Sequence, residues 1–145
     1  MTAVINPLTA NAFAVLFKTQ NCHWHLSGNH FRDDYLTLGE QADQLIASTD
    51  PLAERVRKFG GSALRSVSQR QTVKDNNVDF VTPLDMLTVP MNDNRGMTAN
   101  QRAAHKVCDD NGDFATASLL EVIFDETERR TWFLFEAAQG LEHTE

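Results

Sequence analysis

Along almost the whole chain, apolar residues recur at steps of three and four, and this pattern limits what it can fold into more than any other feature. Phe31, Leu38, Ala42, Leu45, Ile46, Leu52, Val56 and Phe59 form the longest such stripe, beginning near His30 and ended by Gly60-Gly61. A period of 3.6 residues puts these positions on one side of an α-helix. The stripe keeps its phase across Pro51, which predicts one long helix with a proline kink rather than two helices. Upstream, Asn6-Pro7 suits a helix start, with Asn as N-cap and Pro in the first turn. That first helix carries Ala10, Phe13, Leu16, Phe17, Gln20 and Trp24 and is expected to stop at Gly28.

From Ser66 to Gly96 the pattern weakens. Thr82-Pro83-Leu84-Asp85-Met86-Leu87 predicts a short helix of its own, with Thr82 as cap, and Pro90, Asn92-Asp93-Asn94 and Gly96 read as turn chemistry. A third long helix is expected from about Thr98 through Ala103, Val107 and Cys108 to Asn111-Gly112. The fourth opens at Asp113 and carries Leu119, Leu120, Ile123, Trp132, Phe135 and Ala138. No stretch shows the alternation of a half-buried strand, so the expectation is an all-α chain. Two helical hairpins joined by a long crossover that holds a short helix is the connectivity of a ferritin-like four-helix bundle.

The 145 residues suit one domain, 1–145, with one good core. Apolar residues make up 41% and charged residues 23%, a balance that excludes a disordered or membrane-embedded chain. No apolar run approaches the roughly 20 residues that cross a bilayer, and the N-terminus lacks the basic start of a signal peptide. A cytoplasmic protein is expected. Cys22 and Cys108 stand alone, without CxxC spacing, and are read as buried free thiols. The net charge of −7 repels a phosphate backbone, so DNA binding through the bulk surface is expected to be weak or absent. An acidic chain can instead attract cations.

Chemistry-bearing residues concentrate in two places, Gln20 to Asp33 and Asp50 to Arg55. Asp50 and Glu54 are four residues apart, so their carboxylates share a helix face. With an imidazole they would make an oxygen-rich site with one nitrogen ligand, which suits iron or manganese. On spacing alone, an acidic pair followed by Arg55, Arg57 and Lys58 is more often a solvated face, and His23 a hydrogen-bonded core histidine.

The segment from Lys18 to Arg65 resembles the Dps proteins, or mini-ferritins. The resemblance rests on His23-Trp24, Ser27-Gly28, His30-Phe31-Arg32-Asp33, Glu40-Gln41-Ala42-Asp43-Gln44 and Ala53-Glu54-Arg55-Val56-Arg57-Lys58, followed by Gly60-Gly61. Arg102 to His105, Ala115 to Glu121 and Glu128 to Trp132 are similar to the family's last two helices, so the likeness covers nearly the whole chain. It implies a homo-oligomer, a dodecameric shell of tetrahedral symmetry. Such a shell would oxidise ferrous iron with peroxide at sites between twofold-related subunits and store the ferric product. Carried onto this chain, the ligands from one subunit would begin with His23, and those of its partner would be Asp50 and Glu54.

Two expected ligands are replaced. Twelve residues after His23 stands Tyr35, where the family has His, and sixteen after it stands Gly39, where the family has Asp. The matching residues on either side leave no room for a shift in register. Weakened or altered iron oxidation is therefore expected, leaving a storage shell with little activity, or one mixed with a competent paralogue, as the alternative. Tyr35 could ligate ferric iron as a phenolate or pass on an electron; filling space beside a carboxylate is the plainer reading, with Gly39 as a gap for its ring. Trp24 could accept oxidising equivalents or simply pack, and Trp132 is expected to pack. Asp109, Asp110 and Asp113 are candidates for an acidic pore, or equally a solvated turn with Asp113 as N-cap. The segment Met1 to Ile5 lacks the lysines of the family's DNA-condensing arm.

Overall fold

Four helices make the fold: α1 (Thr2–His25), α2 (Phe31–Lys58), α3 (Pro83–Asp110) and α4 (Phe114–Ala138). The computed structural model describes residues 1–67 and 82–141, and among these no strand occurs. Short links make α1–α2 and α3–α4 into hairpins, and α1 also packs on α3. At one end the core joins Ile5 and Leu8 of α1 to Leu52 and Val56 of α2 and to Cys108, Leu120 and Ile123 of the second hairpin. At the other end Cys22 and Leu26 meet Leu38, Met86, Leu87, Met91 and Leu134. The C-terminal half of α2 and the N-terminal end of α3 thus lie at opposite ends. That placement of the two helix ends is the one ferritin-like connectivity requires. No helix of the described residues is long and apolar enough to cross a membrane.

The expected short helix at Thr82–Leu87 is not a separate element. Thr82 caps it as read, accepting the Asp85 N–H at 3.1 Å, but the helix continues through Pro90 and Gly96 to Asp110. Tertiary contacts override the turn residues. Pro90, Met91, Asn94 and Met97 all face the core. Asp93 pairs with Lys18 at 2.8 Å, and the Asn94 amide donates to the Pro90 carbonyl at 2.8 Å. Asn94 also accepts from Nε of the buried Arg130 at 2.8 Å, tying α3 to α4. Local preference of a few tenths to 1 kcal/mol per residue cannot outweigh that burial.

Helix α1 starts earlier than expected, at Thr2. Asn6 is no cap; it is buried and its amide donates to the Ser62 carbonyl at 3.0 Å, fastening α1 to the segment after α2. Pro51 lies within one continuous α2, as its phase predicts. The apolar stripe read on α1 is not wholly the core face. Ile5, Leu8, Ala12, Val15 and Cys22 are buried, whereas Phe17 and Trp24 are more than 60% exposed. Trp132, expected to pack, is also largely exposed, lying edge-on to Phe133. Both cysteines are buried and free. Burial, reinforced by Asp93 and opposed by Lys18, pushes the Cys22 thiol up to about 12, so it is an inert core group.

Candidate metal centre

His23 ends α1 facing the first turns of α2. Its Nδ1 lies 2.8 Å from the Tyr35 carbonyl. A carbonyl only accepts, so Nδ1 carries a proton, and in the neutral ring the lone pair is then on Nε2, the form in which an imidazole ligates a metal. The imidazole stacks on the Tyr35 ring, with centroids 3.8 Å apart and planes 21° apart. The space at Gly39 is used by His23 rather than by Tyr35: a Cβ at Gly39 would meet His23 Cε1 at 3.0 Å. Tyr35 and Gly39 thus hold the imidazole between a phenol face and a bare helix backbone.

His23, Tyr35, Gly39, Glu40 and Asp43 line an open cavity of about 510 Å³. Glu40, about 100° round the helix from Gly39, borders it too, and so does Asp43, which the sequence reading did not single out. The signal for Asp43 was its spacing of four residues from Gly39. Trp24 does not border the cavity. Among the described residues, no three His, Cys, Asp or Glu side chains converge closely enough to hold an ion.

Asp50 and Glu54 are exposed on α2 and have no side-chain partner among the described residues. Asp50 is eleven residues beyond Gly39. At 1.5 Å per residue that is about 16 Å along the helix, and three turns return it to nearly the same face. One chain therefore cannot close His23 and Asp50 on one ion. Ile46, 53% exposed, stands between them on that face, and Phe17, Trp24 and Leu36 of the α1–α2 hairpin are also exposed.

The three candidate pore residues are unequal. Asp110 pairs with Lys106 at 3.0 Å on an exposed helix surface. Asp113 caps α4, accepting the Thr116 N–H at 3.2 Å and its hydroxyl at 2.6 Å, with Arg55 at 3.8 Å. Only Asp109 has no side-chain partner among the described residues. The Thr116 hydroxyl chiefly, opposed by burial and helped by the Thr116 N–H and Arg55, holds the Asp113 carboxyl below its ordinary 3.8. A depressed carboxyl stabilises the fold above the ordinary value, and that contribution is lost as pH falls through the folded value. Asp113→Ala should lower stability by about 1 kcal/mol near neutrality. In denaturant titrations at fixed protein concentration the deficit should shrink as pH drops below 3.8.

The sequence model of the ferritin-like domain matches residues 2–143. A protein called DNA protection during starvation protein, from Agrobacterium fabrum, is 30% identical over 135 residues, covering 90% of this chain and 83% of the relative. Its namesake from Brevibacillus brevis is 27% identical, covering 92% and 91%. The crystal structure of Dps from Thermosynechococcus elongatus superposes with a TM-score of 0.90 over 97% of this chain and 91% of that one, at 22% identity. The chain belongs to the Dps family. Within this Dps fold, His23 stacks on Tyr35 and its ring lies against Gly39.

Proposed function

We propose that this Dps chain forms an iron-storing shell in which ferrous iron binds between twofold-related copies. The ligands are His23 of one subunit and the partner's Asp50 and Glu54. The observation that carries this reading is the shared face of α2. A twofold axis near Ile46 would set Gly39 and its neighbour His23 opposite the partner's residues near 53, between Asp50 and Glu54. The free Nε2 of His23 and two unpartnered carboxylates would then meet, while the exposed Phe17, Trp24, Leu36 and Ile46 would be covered. An imidazole with two carboxylates suits ferrous iron.

Iron is the cargo, and its oxidation by peroxide takes one electron from each of two ferrous ions, leaving ferric ions and hydroxide. Tyr35 and Gly39 supply neither the imidazole nor the carboxylate that would hold a second ion, so oxidation is slow and storage dominates. Protection of DNA follows from removing iron and peroxide, since the net charge of −7 repels a phosphate backbone.

The test is iron(II) oxidation by peroxide in the assembled wild type beside Tyr35→His/Gly39→Asp. Wild type should run modestly above buffer. The double variant should be faster by about tenfold or more, because the smaller ring lets His23 tilt away from the new Cβ while two ligands are restored. A double variant that folds, assembles and is no faster would show that these two positions do not limit the reaction.

A further inference from the structure

Tyr35 is the only tyrosine in the chain, and it stands against the imidazole proposed to hold iron. The two rings are nearly parallel at 3.8 Å, closer than the usual spacing of aromatic pairs. The hydrogen bond from His23 Nδ1 to the Tyr35 carbonyl ties the imidazole to the same residue. Tyr35 also borders the open cavity beside His23 and is 38% exposed, so peroxide and water can reach it from solvent. Other oxidisable side chains nearby are set apart. Trp24 follows His23 directly, lies about 100° round α1 from it and does not border the cavity. Cys22 is buried in the core, its thiol pushed up to about 12. Phe31, tilted against Tyr35 at 5.4 Å, has a ring far harder to oxidise than a phenol.

Peroxide takes two electrons, and the iron site proposed above holds one ferrous ion at a time. One electron alone would split peroxide into hydroxide and a free hydroxyl radical. We propose that Tyr35 gives the second electron, passed through the stacked His23 ring, together with its phenol proton. This rests on that iron site. In the step the O–O bond of peroxide breaks, the ferrous ion becomes ferric, and the Tyr35 O–H breaks to leave a neutral phenoxyl radical. The two peroxide oxygens leave as hydroxide and water. The next ferrous ion to arrive returns an electron to the phenoxyl oxygen and water returns the proton, leaving a second ferric ion and a second hydroxide. The sum is two ferrous ions and one peroxide giving two ferric ions and two hydroxides, with Tyr35 restored. A site short of ligands for a second ion thus completes the reaction without releasing the radical.

A single tyrosine makes the assignment direct. Assembled shells are loaded anaerobically with one ferrous ion per chain, and bound iron is counted. One peroxide per chain is then added, with stopped-flow absorption following the sharp phenoxyl band and a spin trap collecting hydroxyl radical in parallel samples. Wild type should bind its iron, show the phenoxyl band and release little trapped radical. Tyr35→Phe keeps a ring to stack on His23 and removes only the hydroxyl. It should bind ferrous iron within about twofold of wild type, show no phenoxyl band and release several-fold more trapped radical. A ring that only held His23 in place would leave the trapped radical unchanged in this variant. Iron bound by wild type without a phenoxyl band, or equal trapping in the two shells, would overturn the proposal and leave the storage reading standing. Wild-type shells that bind no ferrous iron would overturn both.

Discussion

Shells carrying Asp50→Asn together with Glu54→Gln should lose tight ferrous-iron binding, with affinity falling by about a hundredfold. The two carboxylates supply the negative charge of the proposed intersubunit site, and neutral amides of the same shape remove it without changing volume. Both side chains are exposed and lack partners among the described residues. The fold should therefore hardly notice, with stability unchanged to within about 0.5 kcal/mol. Iron titration under anaerobic conditions, beside a thermal melt, separates the two effects. Binding that survives the double change intact would remove Asp50 and Glu54 from the site.

The largest effect on stability is expected inside the bundle. Arg130 is 2% exposed and donates to Asn94 Oδ1 at 2.8 Å and Thr127 Oγ1 at 2.9 Å, both neutral acceptors. The Gln41 amide adds a bond at 3.2 Å to the Arg130 carbonyl, linking α2 to the same spot. Burial, with Glu126 opposing, brings the guanidinium down to about 10, so this cation is held at a cost. Asn94→Ala takes away its best acceptor and leaves charged donors facing apolar surroundings. A loss of about 2–4 kcal/mol is expected. Arg130→Met added to Asn94→Ala should recover much of that loss, because the unpaired charge disappears with its donors. Denaturant midpoints of the two single variants and the double variant, at one protein concentration, check this coupling. Additive losses would mean that Asn94 stabilises the bundle through its own packing rather than through Arg130.

The helices were legible wherever apolar spacing and caps agreed. The phase kept across Pro51 identified one α2, and Thr82 and Asp113 were readable as caps. Where residues that favour turns were used for tertiary bonds, the reading failed. Asn94 and Asp93 look like a turn in sequence but bond to Arg130 and Lys18, and Pro90 faces the core. Asn6 looks like a cap but reaches across to Ser62. On α1 the sequence mixed two apolar faces, because a helix that packs inward and carries Phe17 and Trp24 outward shows no single stripe.

At the candidate site, residue types were readable but contacts were not. His23, Asp50 and Glu54 carry family motifs, and the resemblance already assigns them to different subunits, in keeping with the length of α2 that separates Gly39 from Asp50. The contact between Gly39 and the His23 ring was hidden, since it joins two helices.

The decisive measurement is complementation between subunits. Chains carrying His23→Ala are unfolded together with chains carrying Asp50→Asn/Glu54→Gln and reassembled, and tightly bound ferrous iron is counted. Each parent shell should bind almost none at the intersubunit sites. Random pairing about twofold axes makes half the interfaces mixed, and each mixed interface rebuilds one whole site of its two, so about a quarter of wild-type capacity should return. Reassembled shells that bind no more iron than either parent would contradict a site shared between His23 of one subunit and the partner's Asp50 and Glu54.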